Sequence, residues 1–178
     1  MHSFSTKRLI VRPLSPQDNP LYCQLYTDAK VMRNICPPLT FPQAEKAFKR
    51  TLAKQNIKNS HQVNWAIYAR ESNQPLGIQG LTWQPNIKTQ ADIGIMLLRR
   101  ANGKLIPEEA MGALMEHAFD HYQLERITAS FSKENLATKR FVKKLGFQFY
   151  EKEITNNNAS IDCYIEQKSY ANQFIITS

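Results

Sequence analysis

The sequence predicts an α+β domain, and three observations support this prediction. Apolar and β-branched runs alternate with amphipathic stretches in the order βαα, βββ, α, β, α, ββ, which makes about seven strands and about four helices. The length of 178 residues corresponds to one domain and is enough to bury roughly 70% of the unfolded surface. Charged residues at 21% and aromatic residues at 10% argue against disorder. We therefore predict a single domain over residues 1–178.

The first third of the chain is predicted to form one strand and two helices. The apolar run Leu9–Val11, closed by an Arg-Pro pair, indicates a strand. Ser15 is a helix cap because proline and an acidic residue follow it, and this helix is expected to end near Lys30. A second helix begins at Pro42 or Gln43. Its apolar side consists of Ala44, Ala47, Phe48 and Leu52.

Three strands are predicted in the middle of the chain. Val63–Tyr68 is rich in strand-forming residues, and a polar turn separates it from Leu76–Trp83. A polar loop over Pro85–Gln90 leads to the third strand, Asp92–Leu98. Because short loops join antiparallel neighbours, the three strands are expected to form an antiparallel meander.

The second half contains the clearest helix, which begins at Pro107 and whose apolar stripe reaches Tyr122. Arg126–Ser130 has the pattern of a strand. A further helix covers Asn135–Leu145 and ends at Gly146, because glycine favours the left-handed conformation of a helix end. The last two strands are Phe147–Tyr150 and Ile161–Ile165, separated by a turn at 156–158.

The chain carries 23 Lys and Arg against 15 Asp and Glu, a net charge of +8. This charge fits an anionic partner (nucleic acid, an acidic protein, a membrane surface or a phosphorylated small molecule), or a basic protein that has none. No aromatic–basic motif indicates nucleic acid. One basic cluster is either a solvated face or a contact for phosphate or nucleic acid: Lys133, Lys139, Arg140, Lys143 and Lys144.

Cysteine and histidine spacing indicates neither a disulfide framework nor a metal site. Cys23, Cys36 and Cys163 form no CxxC or Cys/His group, so reduced thiols are expected. His117 and His121 lie off the apolar stripe without a third ligand, so we predict that both face solvent. No apolar run approaches the roughly 18 residues of a membrane span. The N-terminus lacks the apolar core of a secretory signal, so a cytoplasmic protein is expected.

Several segments match the pattern of one protein family in order and spacing. The pattern L-x-R-I matches Leu124–Ile127, N-x-A-S-x-R matches Asn135–Arg140, and K-L-G-F matches Lys144–Phe147. Two further patterns match nearer the N-terminus: T-x-R-L-x-L-R-P-L at Thr6–Leu14 and E-I-G-Y at Asp92–Ile95. These segments resemble the RimJ/RimL branch of the GNAT superfamily, acetyl-CoA-dependent N-acetyltransferases that modify ribosomal protein N-termini. The resemblance covers about residues 6–167. It implies an α/β/α-layered GNAT fold with a mixed, mostly antiparallel sheet.

The resemblance also implies a cofactor site. In this family acetyl-CoA lies in a V-shaped split between the fourth and fifth strands. Amides at the start of the following helix hold its pyrophosphate, because unpaired amides and the helix dipole favour an anion. Strand amides and the helix-cap asparagine contact the pantetheine arm. The expected cofactor-binding residues are Met96, Leu97, Leu98, Arg100, Gly103, Lys104, Asn135, Thr138 and Arg140.

For catalysis, the resemblance implies direct attack of a neutral amine on the thioester carbonyl. This reaction needs a base for the ammonium proton and a proton for the leaving thiolate. Thr138 stands where the family has a serine near the sulfur, and it keeps the hydroxyl. Asp92 matches the branch's glutamate and is either the base or a structural hydrogen-bond partner. Val142 occupies the position of the tyrosine acid of many GNAT enzymes, so that acid is absent.

The pyrophosphate loop departs from the family's R/Q-x-x-G-x-G/A pattern. In the ungapped register Leu105 replaces the first glycine and Pro107 the second small residue, and proline has no amide to donate. A register that starts at Arg100 restores the arginine and uses Gly103, but it leaves Leu105 at the last position. We therefore expect weakened acetyl-CoA binding, with Lys104 and the nearby arginines compensating electrostatically.

The predicted function is transfer of acetyl from acetyl-CoA to a primary amine, with a protein N-terminus as one candidate acceptor. The alternative is a GNAT-fold binding or regulatory protein that no longer catalyses, which the altered loop favours and the retained Asn135 and Thr138 oppose. A basic nucleic-acid-binding module is a third alternative. The chain is expected to be a monomer or a homodimer.

Overall fold

Eight strands and five α-helices form the described part of this computed structural model, which comprises residues 2–57, 60–150, 160–171 and 173–175. The strands are β1 (Phe4–Ser5), β2 (Leu9–Pro13), β3 (Gln62–Ala69), β4 (Pro75–Trp83), β5 (Gln90–Leu97), β6 (Arg126–Ser132), β7 (Gln148–Phe149) and β8 (Ser160–Glu166). The helices are α1 (Asn19–Thr27), α2 (Ala29–Met32), α3 (Phe41–Gln55), α4 (Ile106–Tyr122) and α5 (Leu136–Lys144).

The strands form one sheet in the order β1-β2-β3-β4-β5-β6-β8-β7. Every neighbouring pair is antiparallel except β5 and β6, which are parallel. Consecutive strand residues point to opposite faces, so Trp65 packs in the larger core with residues of α4, and Ala66 in the smaller core with residues of α1 and α3. The predicted layered α+β fold with a mixed, mostly antiparallel sheet is therefore confirmed.

The first predicted helix is shorter than expected. α1 ends at Thr27 instead of continuing to about Lys30. The side chain of Asp28 accepts hydrogen bonds from the backbone amides of Lys30 at 2.8 Å and Val31 at 3.2 Å, which caps α2 and separates it from α1. Strand β1 was not predicted, because two residues are too few to give a periodic signal. The predicted turn at 156–158 lies outside the described residues.

The prediction of a solvent-facing His117 is wrong, whereas His121 is exposed as predicted. His117 is 8% exposed, and its ring stacks on Phe4 at 4.6 Å and on His121 at 5.0 Å between ring centroids. Strand β1 covers this side of α4, a contact that the periodicity of α4 does not reveal. Burial, assisted by the neighbouring histidines, lowers the pKa of His117 to about 4.

All three cysteines are free thiols, of which Cys23 and Cys163 are buried and Cys36 is exposed. No group of three His, Cys, Asp or Glu side chains in the described ranges is arranged to hold a metal ion. Within the same ranges, none of the helices has the length and apolar character needed to cross a bilayer.

A polar network whose members bond to one another joins the start of α1 to β2 and β3. Asp18 is fully buried, and its two carboxylate oxygens each accept a bond of 2.8 Å from the guanidinium of Arg12. The Tyr68 hydroxyl donates to the same carboxylate at 2.6 Å, and the Ser15 amide at 2.8 Å. Burial alone would raise the pKa of Asp18, but the bonds from Arg12 and Tyr68 hold it below its ordinary value.

Gln55 makes a similarly complete set of contacts at the end of α3. It is 5% exposed. Its side-chain nitrogen donates to the carbonyl oxygen of Leu14 at 3.0 Å, and its side-chain oxygen accepts from the backbone amide of Asn64 at 2.9 Å. These bonds tie α3 to β3 and to the segment after β2, so the buried carboxamide has a structural role.

Candidate active site

The gap between β5 and β6 interrupts the sheet. These strands pair only over Gln90–Asp92 and Arg126–Thr128; β5 then continues to Leu97 and β6 to Ser132 with no further mutual pairing in the described sequence. Strand β6 keeps its other neighbour, because it pairs with β8 along its whole length. The two strands therefore diverge and open a cleft of about 1020 Å³. They are the fourth and fifth strands of the sequence prediction, where the split was expected.

Asp92 lies at the closed end of the split, in the last parallel pair of β5 and β6. The buried hydroxyl of Thr128 donates to Oδ1 of Asp92 and lies 3.4 Å from the carbonyl oxygen of Ala91. On β4, Asp92 pairs with Thr82, which lines the cleft. Asp92 therefore has a structural hydrogen bond. It is also exposed, and its Oδ2 has no hydrogen-bond partner among the described residues.

The start of α5 forms one wall of the cleft. Asn135 caps this helix, since its Oδ1 accepts a bond of 3.1 Å from the backbone amide of Thr138. Both residues are half-buried and line the cleft together with Phe141 and Val142. Val142 is fully buried, so the position of the family's tyrosine acid is part of an apolar wall here. Thr138 carries a hydroxyl group on this wall.

The cleft reaches both faces of the sheet. Gln79, Ile95 and Met111 line it on the face covered by α4 and α5, which we call the α4 side. Asn64 and Gly80 line it on the opposite face, covered by α1 and α3, which we call the α1 side. Gly80 leaves the space that Asn64 fills, because a Cβ at position 80 would lie 2.7 Å from Oδ1 of Asn64.

Two carboxamides in the cleft contain buried atoms without hydrogen-bond partners among the described residues. They are Nδ2 of Asn64 and both Nε2 and Oε1 of Gln79, a residue that is 2% exposed. Buried polar atoms in proteins are nearly always partnered, so such atoms indicate where a ligand or water binds. Neither residue is among those that the sequence predicts for the site. The available signal was a glutamine inside the apolar, glycine-rich run Leu76–Leu81.

The predicted pyrophosphate loop connects the open end of β5 to α4. Gly103, Lys104 and Leu105 have φ angles of 93°, 49° and 60°, so three consecutive residues are left-handed. This conformation suits glycine and costs other residues roughly 1–2 kcal/mol each. The loop thus keeps a backbone shape that favours glycine at Leu105, although the glycine itself is missing.

Two arginines hold this loop. Arg8 donates from Nη1 to the carbonyl oxygen of Lys104 at 2.8 Å and from Nε to Glu109, in the first turn of α4, at 2.6 Å. Arg100 donates to the carbonyl oxygen of Pro75, at the start of β4, at 2.7 Å. Arg100 therefore has a structural partner. The strained loop is fixed by contacts with the residue before β2 and the start of β4, both distant in sequence.

The cleft brings together only part of the predicted site. Three predicted residues line it: Met96, Asn135 and Thr138. Leu97 and Leu98 are buried, and the amide of Leu98 donates to the carbonyl oxygen of Leu76 at 2.8 Å, which removes it from the expected cofactor-binding amides. Arg140 is exposed on α5. The loop residues Arg100, Gly103 and Lys104 lie beyond the cleft lining, before α4.

Residues 8–148 match the family described as "Acetyltransferase (GNAT) domain". Two relatives are similar in sequence along most of their length. Uncharacterized N-acetyltransferase p20 of Bacillus licheniformis is 27% identical over 151 residues, which are 83% of each chain. Uncharacterized N-acetyltransferase YnaD of Bacillus subtilis (strain 168) is 26% identical over 167 residues, 92% of this chain and 94% of the relative.

Solved structures of acetyltransferases have the same fold. An acetyltransferase from Agrobacterium tumefaciens superposes with a TM-score of 0.77 at 20% identity, covering 94% of this chain and 95% of that one. RimL, a ribosomal L7/L12 alpha-N-protein acetyltransferase in complex with CoA, gives 0.77 at 15% identity, with coverages of 93% and 98%. Spermidine N-acetyltransferase from Vibrio cholerae, in complex with CoA and spermine, gives 0.75 at 17% identity, with coverages of 91% and 97%.

Proposed function

The chain belongs to the GNAT acetyltransferase family and is an acetyl-CoA-dependent acetyltransferase, and we propose that its acceptor is the N-terminal amino group of a protein or peptide. The observation that carries this proposal is the split between β5 and β6, which has Asp92 at its closed end and Thr138 on its wall. The character of the cleft on the α1 side supports the choice of acceptor.

The residues of the cleft fit an acyl-CoA. The cleft passes through the sheet beside the open edge of β5 and contains a buried carboxamide that nothing in the described chain satisfies. Because amides of an antiparallel strand alternate in direction, the bond from the Leu98 amide to β4 leaves the amide of Leu97 facing the split. Lys104 adds positive charge at the loop after β5.

The chain's own groups supply the proton transfers of the reaction. Acetyl-CoA, when bound, supplies an acetyl group activated as a thioester. Oδ2 of Asp92 accepts the proton of the acceptor's ammonium group, while Thr128 holds the other carboxylate oxygen. Amides that face the split stabilise the negative oxygen of the tetrahedral intermediate. The C–S bond breaks once the C–N bond has formed, and the hydroxyl of Thr138 donates a hydrogen bond to the departing thiolate, which leaves as CoA thiol after it takes up the second proton that the amine nitrogen releases.

The α1 side of the cleft suits a peptide better than a polyamine. Apart from Asp92 at its closed end, two charged residues line the cleft in the described ranges, Arg33 and Glu134, and their charges are opposite. A polyamine carries several positive charges and needs several carboxylates, which this lining does not offer. The rim segment after Asn34 is apolar, since Ile35 is 54% exposed and is followed by Cys36 and two prolines. The unpartnered Nδ2 of Asn64 is a donor for a peptide carbonyl oxygen.

Mass spectrometry of acetylated peptides tests this proposal. The purified protein is incubated with acetyl-CoA and a lysine-containing peptide that begins with an apolar residue, and in parallel with the same peptide blocked at its N-terminus and with spermidine. We expect one acetyl group on the free N-terminus, none on the blocked peptide and slower transfer to spermidine. Faster acetylation of spermidine, or acetylation of the blocked peptide on lysine, would show that the acceptor class is wrong. CoA binding without any transfer would favour the non-catalytic alternative.

A further inference from the structure

Gln79 is the most deeply buried polar side chain in the cleft. It lies on β4, in register with Trp65 on β3 and Ile95 on β5, so it points to the α4 side. It is 2% exposed, and both Nε2 and Oε1 lack partners in the described part of the chain. A buried polar group without a partner costs roughly 1–3 kcal/mol. A bound ligand that forms hydrogen bonds with the group offsets this free-energy cost.

No side chain of the described residues lies within hydrogen-bond distance of the Gln79 carboxamide. The cleft residues on the α4 side are otherwise apolar apart from those at the start of α5: Ile93, Ile95, Met111, Ala129, Phe131, Phe141 and Val142. A polar ligand group that enters this side of the cleft loses its hydrogen bonds to water and is surrounded mostly by apolar side chains. The Gln79 carboxamide is buried on this side of the cleft and can both donate and accept hydrogen bonds.

We propose that Gln79 recognises an amide of the pantetheine arm of CoA. The arm contains secondary amides, each with one N–H donor and one carbonyl acceptor on opposite sides, and the Gln79 carboxamide can either accept from such an N–H or donate to such a carbonyl oxygen. Gln79 faces the same cleft as Asn135 and Thr138, the residues that the family resemblance assigns to the arm and to the sulfur. The inference rests on the binding of CoA and not on the proposed acceptor.

Gln55 provides a matched comparison. Both glutamines are buried, but the carboxamide of Gln55 donates to Leu14 and accepts from the Asn64 amide. Replacement of Gln79 by methionine or leucine removes two unpartnered atoms from the unliganded protein, so its stability should not fall. Replacement of Gln55 by methionine breaks two existing bonds and should lower stability.

The experiment compares two ligands and three variants. Calorimetric titration gives the Kd of CoA and of adenosine 3′,5′-bisphosphate, which lacks the pantetheine arm, for the wild type and for Gln79→Met, Gln79→Leu and Gln55→Met. Thermal unfolding without ligand gives Tm. We expect the Gln79 variants to bind CoA about tenfold more weakly, to bind the armless nucleotide within about twofold of the wild type, and to have a Tm about 2–4 °C higher. Gln55→Met should lower Tm and leave the ratio of the two Kd values unchanged.

Two results would overturn the proposal. If the Gln79 variants bind CoA like the wild type, the carboxamide has a water partner or none, and it does not recognise the arm. If CoA and the armless nucleotide weaken equally, Gln79 acts through the structure of the cleft as a whole. Neither result depends on acetyl transfer, so a failed peptide assay leaves this test intact.

Discussion

The buried polar groups beside β2 and those of the cleft lie in one sheet but differ in their partners. Asp18 accepts bonds from Arg12 and Tyr68 on both carboxylate oxygens. Gln79, equally buried, has no partner for either of its polar atoms in the described residues. The first arrangement contributes to stability, because every desolvated group regains a hydrogen bond. The second arrangement lowers the stability of the unliganded protein, and it leaves the Gln79 carboxamide available to form hydrogen bonds with a ligand.

The two aspartates differ in the same way. Both oxygens of Asp18 are used, whereas Asp92 receives a hydrogen bond on Oδ1 and is exposed. A carboxylate that is saturated with donors is a poor proton acceptor, while one with an open oxygen can act as a base. The contrast predicts that Asp18 variants change stability and that Asp92 variants change turnover.

The largest expected effect is that of Asp18→Ala on stability. It leaves the guanidinium of Arg12 and the hydroxyl of Tyr68 half-buried without their partner, which should lower the free energy of unfolding by about 3 kcal/mol. Urea unfolding measures this loss. Tyr68→Phe removes the bond that the hydroxyl donates to Asp18 and the one that it accepts from Arg12, but it keeps the ion pair, so it should cost less, about 1–2 kcal/mol. A loss from Asp18→Ala no larger than that of Tyr68→Phe would contradict a closed, cooperative network.

The second effect concerns turnover. Asp92→Asn keeps the shape of the side chain but removes the base, so kcat should fall about 100-fold at saturating substrates. Steady-state kinetics with acetyl-CoA and the best peptide measure this change. Thr128→Val removes the hydrogen bond to Asp92 and keeps the carboxylate, and it should lower kcat by less than about tenfold. An unchanged kcat in Asp92→Asn would show that Asp92 is not the base and that its role is the structural hydrogen bond with Thr128.

His117 extends the comparison to a buried group outside the cleft. Its pKa is lowered from 6.5 to about 4 by burial, so between these values the unfolded chain binds a proton that the folded protein excludes. The stabilising effect of the neutral imidazole is complete above pH 6.5 and is lost as the pH falls towards 4, by about 2 kcal/mol after allowance for partial solvation.

Urea unfolding of the wild type and of His117→Phe at several pH values between 7 and 4.5 tests this prediction. The wild type should lose stability more steeply than the variant as the pH falls. The pKa of Asp18 lies below its ordinary value of 3.8, so that carboxylate stays ionised throughout this range and does not confuse the result. Parallel curves for the two proteins would show that His117 does not titrate as its burial implies.

The smallest effect concerns the strained loop. Leu105 is 56% exposed and left-handed, so Leu105→Gly loses little packing and relieves strain, while glycine adds flexibility to the unfolded chain. The balance should raise the free energy of unfolding by about 0.5–1 kcal/mol. Leu105→Ala keeps the Cβ and should show no such gain. A glycine variant less stable than the alanine variant would mean that the contacts of the leucine side chain outweigh the strain.

The sequence predicts site residues best where one motif places them on the same helix or strand. Asn135 and Thr138 lie three residues apart, and the cap bond between them brings both to the cleft. The amide of Leu98 was assigned wrongly, because the direction of a strand amide depends on which neighbour it pairs with. Gln79 and Asn64 were not predicted: the glutamine in the apolar run Leu76–Leu81 indicates a buried carboxamide, but the sequence does not indicate whether such a group has hydrogen-bond partners.

The sequence by itself determined the order of the elements, the main helices and the motif residues of α5. These features follow from periodicity, caps and spacing, which are properties of neighbours along the chain. Only the tertiary structure decided that His117 is buried, that Gln79 has no partner among the described residues and that Leu105 keeps a left-handed backbone. Burial and hydrogen bonding join residues far apart in sequence: Arg8, which holds the loop, bonds Glu109 across 101 residues, a separation that no local pattern encodes.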